Sequence, residues 1–213
     1  MNKTALLIAF ISVIACQDPE KKIPTQESIA NTYGYSNWKN VNELTFTFNV
    51  DRDTTHFERT FIWEPKSKKV TYISVSDTVQ FLQDSIKRVS LAADKSFVND
   101  KYWLLAPFQL VWDQGTTFSE KENVVAPISK EKMKVLTMTY PAEGGYTPGD
   151  AYDFYYDNDF LIKEWAYRPK NQPEPSMVTT WENIQEVNGI KMATMHKDST
   201  GNFKLYFTNL SIQ

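Results

Sequence analysis

Apolar residues recur at every second position through several short, closely spaced segments of this chain, and that period most constrains its fold. Successive side chains of a strand point to opposite faces, so a period of two gives one apolar and one polar face. Within residues 42–50, Leu44, Phe46, Phe48 and Val50 alternate with Glu43, Thr45, Thr47 and Asn49. Within Thr55–Glu64, Phe57, Phe61 and Trp63 share one side, and His56, Glu58 and Thr60 share the other. Glu64-Pro65-Lys66-Ser67 breaks the run, and residues 70–75 resume it. The second half repeats the style at 133–140, at Tyr152, Phe154 and Tyr156, and at 160–167, 177–187, 190–196 and 203–212. Turn residues separate these runs: Gly144-Gly145, Asp157-Asn158-Asp159, a loop at 168–175 with three prolines, and Asn188-Gly189, a strong hairpin signal. Strands this close, with no helices between them, pair antiparallel.

Two segments depart from the pattern. Residues 26–33 read as a short helix, with Thr25 as its cap and Gly34 as its stop. Residues 94–113 form the most apolar stretch after the N-terminal run, and Pro107 falls inside it. Proline removes a helical hydrogen bond and crowds the preceding turn. The stretch therefore reads either as one interrupted helix or as two short ones, lying over the sheet. The expected class is α+β, mainly β, with one antiparallel sheet. A length of 213 residues, 41% of them hydrophobic and 14% aromatic, suits one domain with an ordinary core.

The N-terminus carries an address. Lys3 precedes an apolar run at 5–15 that ends in Val13-Ile14-Ala15-Cys16. A bilayer-spanning helix needs about 20 apolar residues, so this run reads as a secretory signal. Its end resembles the bacterial lipobox, in which the cysteine receives a diacylglycerol and cleavage follows just ahead of it. Cys16 is the sole cysteine of the chain. The expected organisation is a signal peptide at 1–15, a lipidated tether at 16–24 and one folded domain at 25–213. The membrane is then a partner through lipid, palmitate included, on Cys16, and the outer membrane is the expected location.

Other chemistry is thinly represented. A net charge of −3 gives no footprint for nucleic acid. One cysteine and two histidines offer little for a metal, and no cofactor is expected. The sequence holds no Gly-x-Ser-x-Gly elbow, HExxH helix or phosphate-cradling glycine loop. Carboxylate pairs such as Glu182 with Glu186 or Asp153 with Asp157 arise by chance among 26 acids. No enzyme activity is expected.

A helix leading into a long antiparallel meander, with an apolar helical insert midway, resembles the lipoprotein-carrier family of LolA and LolB. The phrases Lys101-Tyr102-Trp103-Leu104-Leu105-Ala106-Pro107-Phe108 and Thr179-Thr180-Trp181-Glu182 through Asn188-Gly189-Ile190-Lys191 are similar to those of a group of uncharacterised Gram-negative outer-membrane lipoproteins. The carrier resemblance implies a sheet curled into an open half-barrel, with helices over its concave face and a cavity for acyl chains between them. It implies a ligand site bordered by Arg59, Phe61, Trp63, Trp103, Phe108, Trp112 and Trp181. Arg59 lies on the apolar side of its strand, between Phe57 and Phe61. A charge there needs a partner, because an unpaired buried charge is costly. The resemblance implies that such an arginine holds a helical lid shut; the plainer alternatives are a structural salt bridge to an inward carboxylate or a place at the sheet rim. The function expected is a lipid-anchored envelope protein that binds a hydrophobic ligand, an acyl chain or a lipoprotein. The alternative is a structural or partner-docking lipoprotein whose own helix fills the space.

Overall fold

The computed structural model describes residues 23–213; the expected signal peptide, Cys16 and nearly all of the tether lie outside the described residues. Helix α1, Thr25–Thr32, starts one residue earlier than expected, so Thr25 is inside the helix and Pro24 caps it. Gly34 follows with a left-handed φ of 85° and turns the chain into a single 3-10 helix, Tyr35–Asn40. Then come strands β1 (Leu44–Arg52), β2 (Thr55–Glu64), β3 (Lys69–Ile73) and β4 (Thr78–Leu82). The apolar insert is helix α2, Leu91–Trp112. Strands β5 (Thr117–Val125), β6 (Lys132–Thr139), β7 (Ala151–Tyr156), β8 (Ile162–Arg168), β9 (Met177–Thr180), β10 (Glu182–Val187), β11 (Ile190–Lys197) and β12 (Phe203–Ile212) complete the chain.

The strands make two antiparallel sheets, where the alternation predicts one, and neither is strongly curled, so the single open half-barrel that the resemblance implies is not what the described residues form. One has seven strands in the order β10-β11-β12-β1-β2-β3-β4, and the other has five in the order β5-β6-β7-β8-β9. Two local causes divide the meander. Helix α2 takes up the chain between β4 and β5, so those strands do not pair. The expected strand at 177–187 breaks at Trp181, where β9 leaves the second sheet and β10 joins the first. There Trp181 donates its backbone N–H to the carbonyl of Lys163 at 2.8 Å, and its side chain turns into the core.

Register follows the alternation. Leu44 lies opposite Trp63, Phe46 opposite Phe61 and Phe48 opposite Arg59, so these six side chains share the inner face of the larger sheet. The rings of Phe46 and Phe61 meet at 5.3 Å. Residues of both sheets and both helices share one core, in which Phe46, Phe61, Phe97, Phe108, Leu136 and Phe154 are all fully buried.

Helix α2 resolves the choice between one helix and two. It is continuous but broken at Leu105, with φ −121° and ψ 25°, two residues before Pro107. The proline ring crowds the carbonyl four residues back, which forces the local departure. Residues 91–104 therefore form one arm and 106–112 another.

The turn after α1 is fixed against the other end of the fold. Asn37 Nδ2 donates to the carbonyl of Gly189 at 2.8 Å, and Lys191 N–H donates to the carbonyl of Tyr33 at 2.9 Å. A Cβ on Gly34 would fall 1.9 Å from Gly189 O, and its φ is left-handed as well. Gly34→Ala should therefore destabilise the fold by about 3 kcal/mol or more, from steric conflict added to backbone strain. Gly145 also has a positive φ but meets nothing within 4 Å, so Gly145→Ala should cost only about 1 kcal/mol. Urea denaturation of the two variants checks the difference.

Candidate functional site

Arg59 stands on the inner face of β2 and reaches up to α2. Its Nε donates to Asp100 Oδ2 at 2.5 Å, its second terminal nitrogen to Asp100 Oδ1 at 2.6 Å, and the other to Ser96 Oγ at 2.9 Å. The two-pronged geometry is the strongest form of such a pair. The guanidinium also lies over Phe48 at 5.3 Å and Phe57 at 5.0 Å. The Asp100 side chain is 0% exposed and that of Arg59 is 16% exposed. Burial pushes the Asp100 carboxyl up to about 6, although Arg59 and Asn99 pull the other way. Desolvation thus outweighs attraction at this carboxylate. The inward acid that Arg59 requires is present, on the helix.

The aromatic residues expected around a ligand fall into two groups joined by α2. In the first, Trp63 meets Phe97 at 5.3 Å and Trp112 at 6.4 Å, and Trp38 meets Trp63, Phe108 and Trp112 at 5.2, 5.8 and 5.0 Å. Phe61 joins through Phe97 at 5.5 Å. In the second, Trp103 touches Trp165 at 4.4 Å, His196 at 5.3 Å and Trp181 at 6.3 Å. The rings are in contact with one another. Edge-to-face and offset pairs of this kind are worth about 0.5–1.5 kcal/mol each beyond burial.

Two features escaped the sequence reading. Lys101, one residue past Asp100, carries its ammonium among the rings of Trp63, Phe97 and Trp112 at 5.5, 5.7 and 5.8 Å. Burial pushes its pKa down, opposed by Asp113 and Asp94. Gln109 fits with its oxygen toward Lys101 Nζ at 3.2 Å and its nitrogen toward Asp113 Oδ1 at 2.8 Å, and Tyr140 donates its hydroxyl to Asp113. The spacing of Phe97 and Lys101, one helical turn apart, was the available signal. The second feature is His196, read as lying near a strand end and in fact fully buried. Its ring meets Trp181 at 4.2 Å and Phe207 at 6.2 Å. Burial drives its pKa down to about 3, so the ring is neutral. Near it, Tyr102 OH, Trp165 Nε1, Thr179 Oγ1, Trp181 Nε1 and His196 Nε2 are buried without hydrogen-bond partners. An orphaned buried group costs about 1–3 kcal/mol.

Two clefts open on the surface. The larger, about 760 Å³, is lined by polar and apolar groups in equal measure; Glu164, Lys163, Lys134, Thr180 and Trp181 are among its lining residues. Three of its five lining carboxylates, Glu164, Asp157 and Glu182, are engaged in structure. Glu164 accepts the backbone N–H groups of Ile128 and Ser129, both at 2.7 Å, and Asp157 pairs with Lys163 at 2.9 Å. Glu182 pairs with Lys197 at 2.8 Å; away from the cleft, Asp153 pairs with Arg168 at 2.7 Å. The smaller cleft, about 500 Å³, lies between α1 and the end of α2. Exposed His56 bonds Asp51 at 2.7 Å. No group of three His, Cys, Asp or Glu side chains able to hold a metal occurs among the described residues.

The raised pKa of Asp100 gives a pH dependence of known sign. The folded protein binds this proton more tightly than the unfolded chain. The contribution to stability is thus fully present below the ordinary value of 3.8 and is lost as pH rises through about 6. Between pH 4 and 7 the wild type should lose about 2 kcal/mol relative to Asp100→Asn, which has no such proton. Denaturant midpoints of both proteins across that range check it; parallel profiles would contradict it.

No protein-family model matches the chain, and no curated protein matches it either. Solved structures do. A DUF1329 family protein from Desulfovibrio piger aligns at 12% identity over 89% of this chain and 92% of its own, with a TM-score of 0.47. A LolA superfamily protein from Nitrosomonas europaea aligns at 11% identity over 90% of this chain and 94% of its own, with a TM-score of 0.52. At that identity the likeness concerns fold alone, and the chain has a LolA/LolB-like fold.

Proposed function

We propose that this protein is a lipid-anchored envelope protein that takes up an apolar ligand, an acyl chain or an acylated protein, between α2 and the inner sheet faces. The observation that carries the reading is the Arg59–Asp100 pair. It sets one strong but replaceable polar bond between helix and sheet in an interface otherwise made of rings. Rings sliding past rings adapt to an apolar guest, and a charged pair that regains water on opening makes the movement reversible. The LolA/LolB-like fold supports the same reading. Glu164, Asp157 and Glu182 of the larger cleft are committed to structural bonds, which supports binding over catalysis.

A second reading is favoured by the close ring contacts of Trp103 and Trp63, which fill the space beneath α2. In that reading the protein is a structural or docking lipoprotein with no guest. Anchoring belongs to both readings and rests on Cys16, in an outer-membrane location.

Three measurements test these readings. Cys16→Ser should move the protein from the membrane to the soluble fraction or leave it unprocessed; unchanged partition with normal processing would remove the anchor. A fluorescent acyl probe should bind the wild type at micromolar concentration. Arg59→Leu leaves Asp100 buried and alone, which favours the open arrangement. At pH 8 it should release the probe at least about fivefold faster. Adding Asp100→Leu removes the stranded charge and should restore slow release. Release indifferent to Arg59 would leave the guest and remove the latch. A wild type that binds no probe would give the structural reading its place.

A further inference from the structure

Trp103 occupies a recess whose walls it does not satisfy. The recess is formed by Trp165 on β8, Thr179 opposite it on β9, Trp181 at the crossing between sheets, and His196 on β11. The buried unpartnered atoms Trp165 Nε1, Thr179 Oγ1, Trp181 Nε1 and His196 Nε2 belong to these four residues, and a fifth, Tyr102 OH, belongs to the neighbour of Trp103. Buried polar atoms are nearly always bonded, and a gathering of exceptions calls for a cause.

Their chemistry is specific. The two indoles offer N–H donors and nothing else. His196 Nδ1 lies 3.3 Å from the carbonyl of Thr180, so it carries the ring proton and Nε2 presents a bare lone pair. Thr179 can donate or accept. Trp103, itself an indole, offers no lone-pair acceptor to the donor of Trp181, while the donor of Trp165 has only the neighbouring Tyr102 hydroxyl to turn to. A hydrocarbon would do no better. An ionised carboxylate would satisfy the donors but set its charge against the His196 lone pair among rings.

We propose that this recess is a headgroup site for a neutral amphiphile bearing a carbonyl beside an N–H or O–H, an amide or an undissociated acid, which enters when Trp103 withdraws with the first arm of α2. The proposal rests on the apolar-guest reading given above and names the polar end of that guest. The carbonyl oxygen accepts from the indole N–H groups, and the adjoining N–H or O–H donates to His196 Nε2. The break at Leu105, two residues beyond Trp103, supplies the pivot for the withdrawal. Trp181 and Thr180 also line the 760 Å³ cleft, so one residue separates the recess from the outer surface.

The test uses the full chain with Cys16→Ser, displacement of a fluorescent acyl probe, and three competitors of one chain length: dodecanamide, dodecane and dodecanoate at pH 8. Dodecanamide should bind tightest. Trp181→Phe and His196→Phe keep a ring in place but remove the donor or the acceptor. Each should weaken dodecanamide about tenfold and leave dodecane within a factor of about two. Trp103→Ala, which empties the recess, should tighten dodecanamide. If dodecanamide and dodecane bind alike and neither variant distinguishes them, the headgroup site is wrong and the apolar-guest reading stands. If the acyl probe does not bind at all, both fall together.

Discussion

The wedge of Trp103 between Trp165 of the smaller sheet and the Trp181–His196 pair at the edge of the larger one sets where the two sheets lie relative to each other. The same helix turns its earlier residues to the larger sheet, where Phe97 packs on Phe61 and Trp63 and Asp100 bonds Arg59. One arm of α2 therefore engages both sheets within two turns. Large buried aromatics contribute a few kcal/mol each, so this arm holds the architecture more than hydrogen bonding between the sheets does. Any guest in the interior must compete with those ring contacts.

The charged groups under α2 temper that hold. Arg59, Asp100 and Lys101 are consecutive demands for solvation inside an aromatic interface. A pair that costs more to bury than it returns is a poor fastener for a permanent joint. It suits a joint whose parted form is also populated, because water repays the desolvation when the pair opens. Since the folded protein holds the Asp100 proton more tightly than the unfolded chain, acid strengthens this joint and neutral pH weakens it.

Much of this was legible in the alternation of residues, and the exceptions have physical reasons. Strands β1 and β2 show clear period two because the apolar side chains of each turn inward and the polar ones outward, and β7 keeps Tyr152, Phe154 and Tyr156 on one face although both its faces are largely buried. Strand β5 escaped because it is an edge strand exposed along nearly its whole length, and Glu120-Lys121-Glu122 reads as loop. Such charges guard an open edge against pairing with another chain. Strand β4 is only five residues long. The division into two sheets was hidden because the break at Trp181 depends on partners far away in sequence, β8 on one side and β11 on the other. Arg59 announced that it needed an acid, but Asp94, Asp100 and Asp113 all lie in the insert, and only packing decides among them. The orphaned atoms around Trp103 come from four separate strands or turns and the helix, and no local pattern unites them.

The first strand of the larger sheet pairs with the last. Leu44 lies opposite Ile212, and the N–H groups of Asn42 and Glu43 reach the carbonyl of the final residue, Gln213, at 2.6 and 3.1 Å. The centre of that sheet closes only when the two ends of the folded region meet, a contact of the longest sequence separation the fold contains. Chains that depend on such contacts close slowly and late. During synthesis, β1 has no neighbour on one side until β12, Phe203–Ile212, emerges, so the sheet cannot be completed before then. Were the chain exported, as proposed above, this order would keep the polypeptide threadable until β12 had crossed, and the larger sheet would close only on the far side.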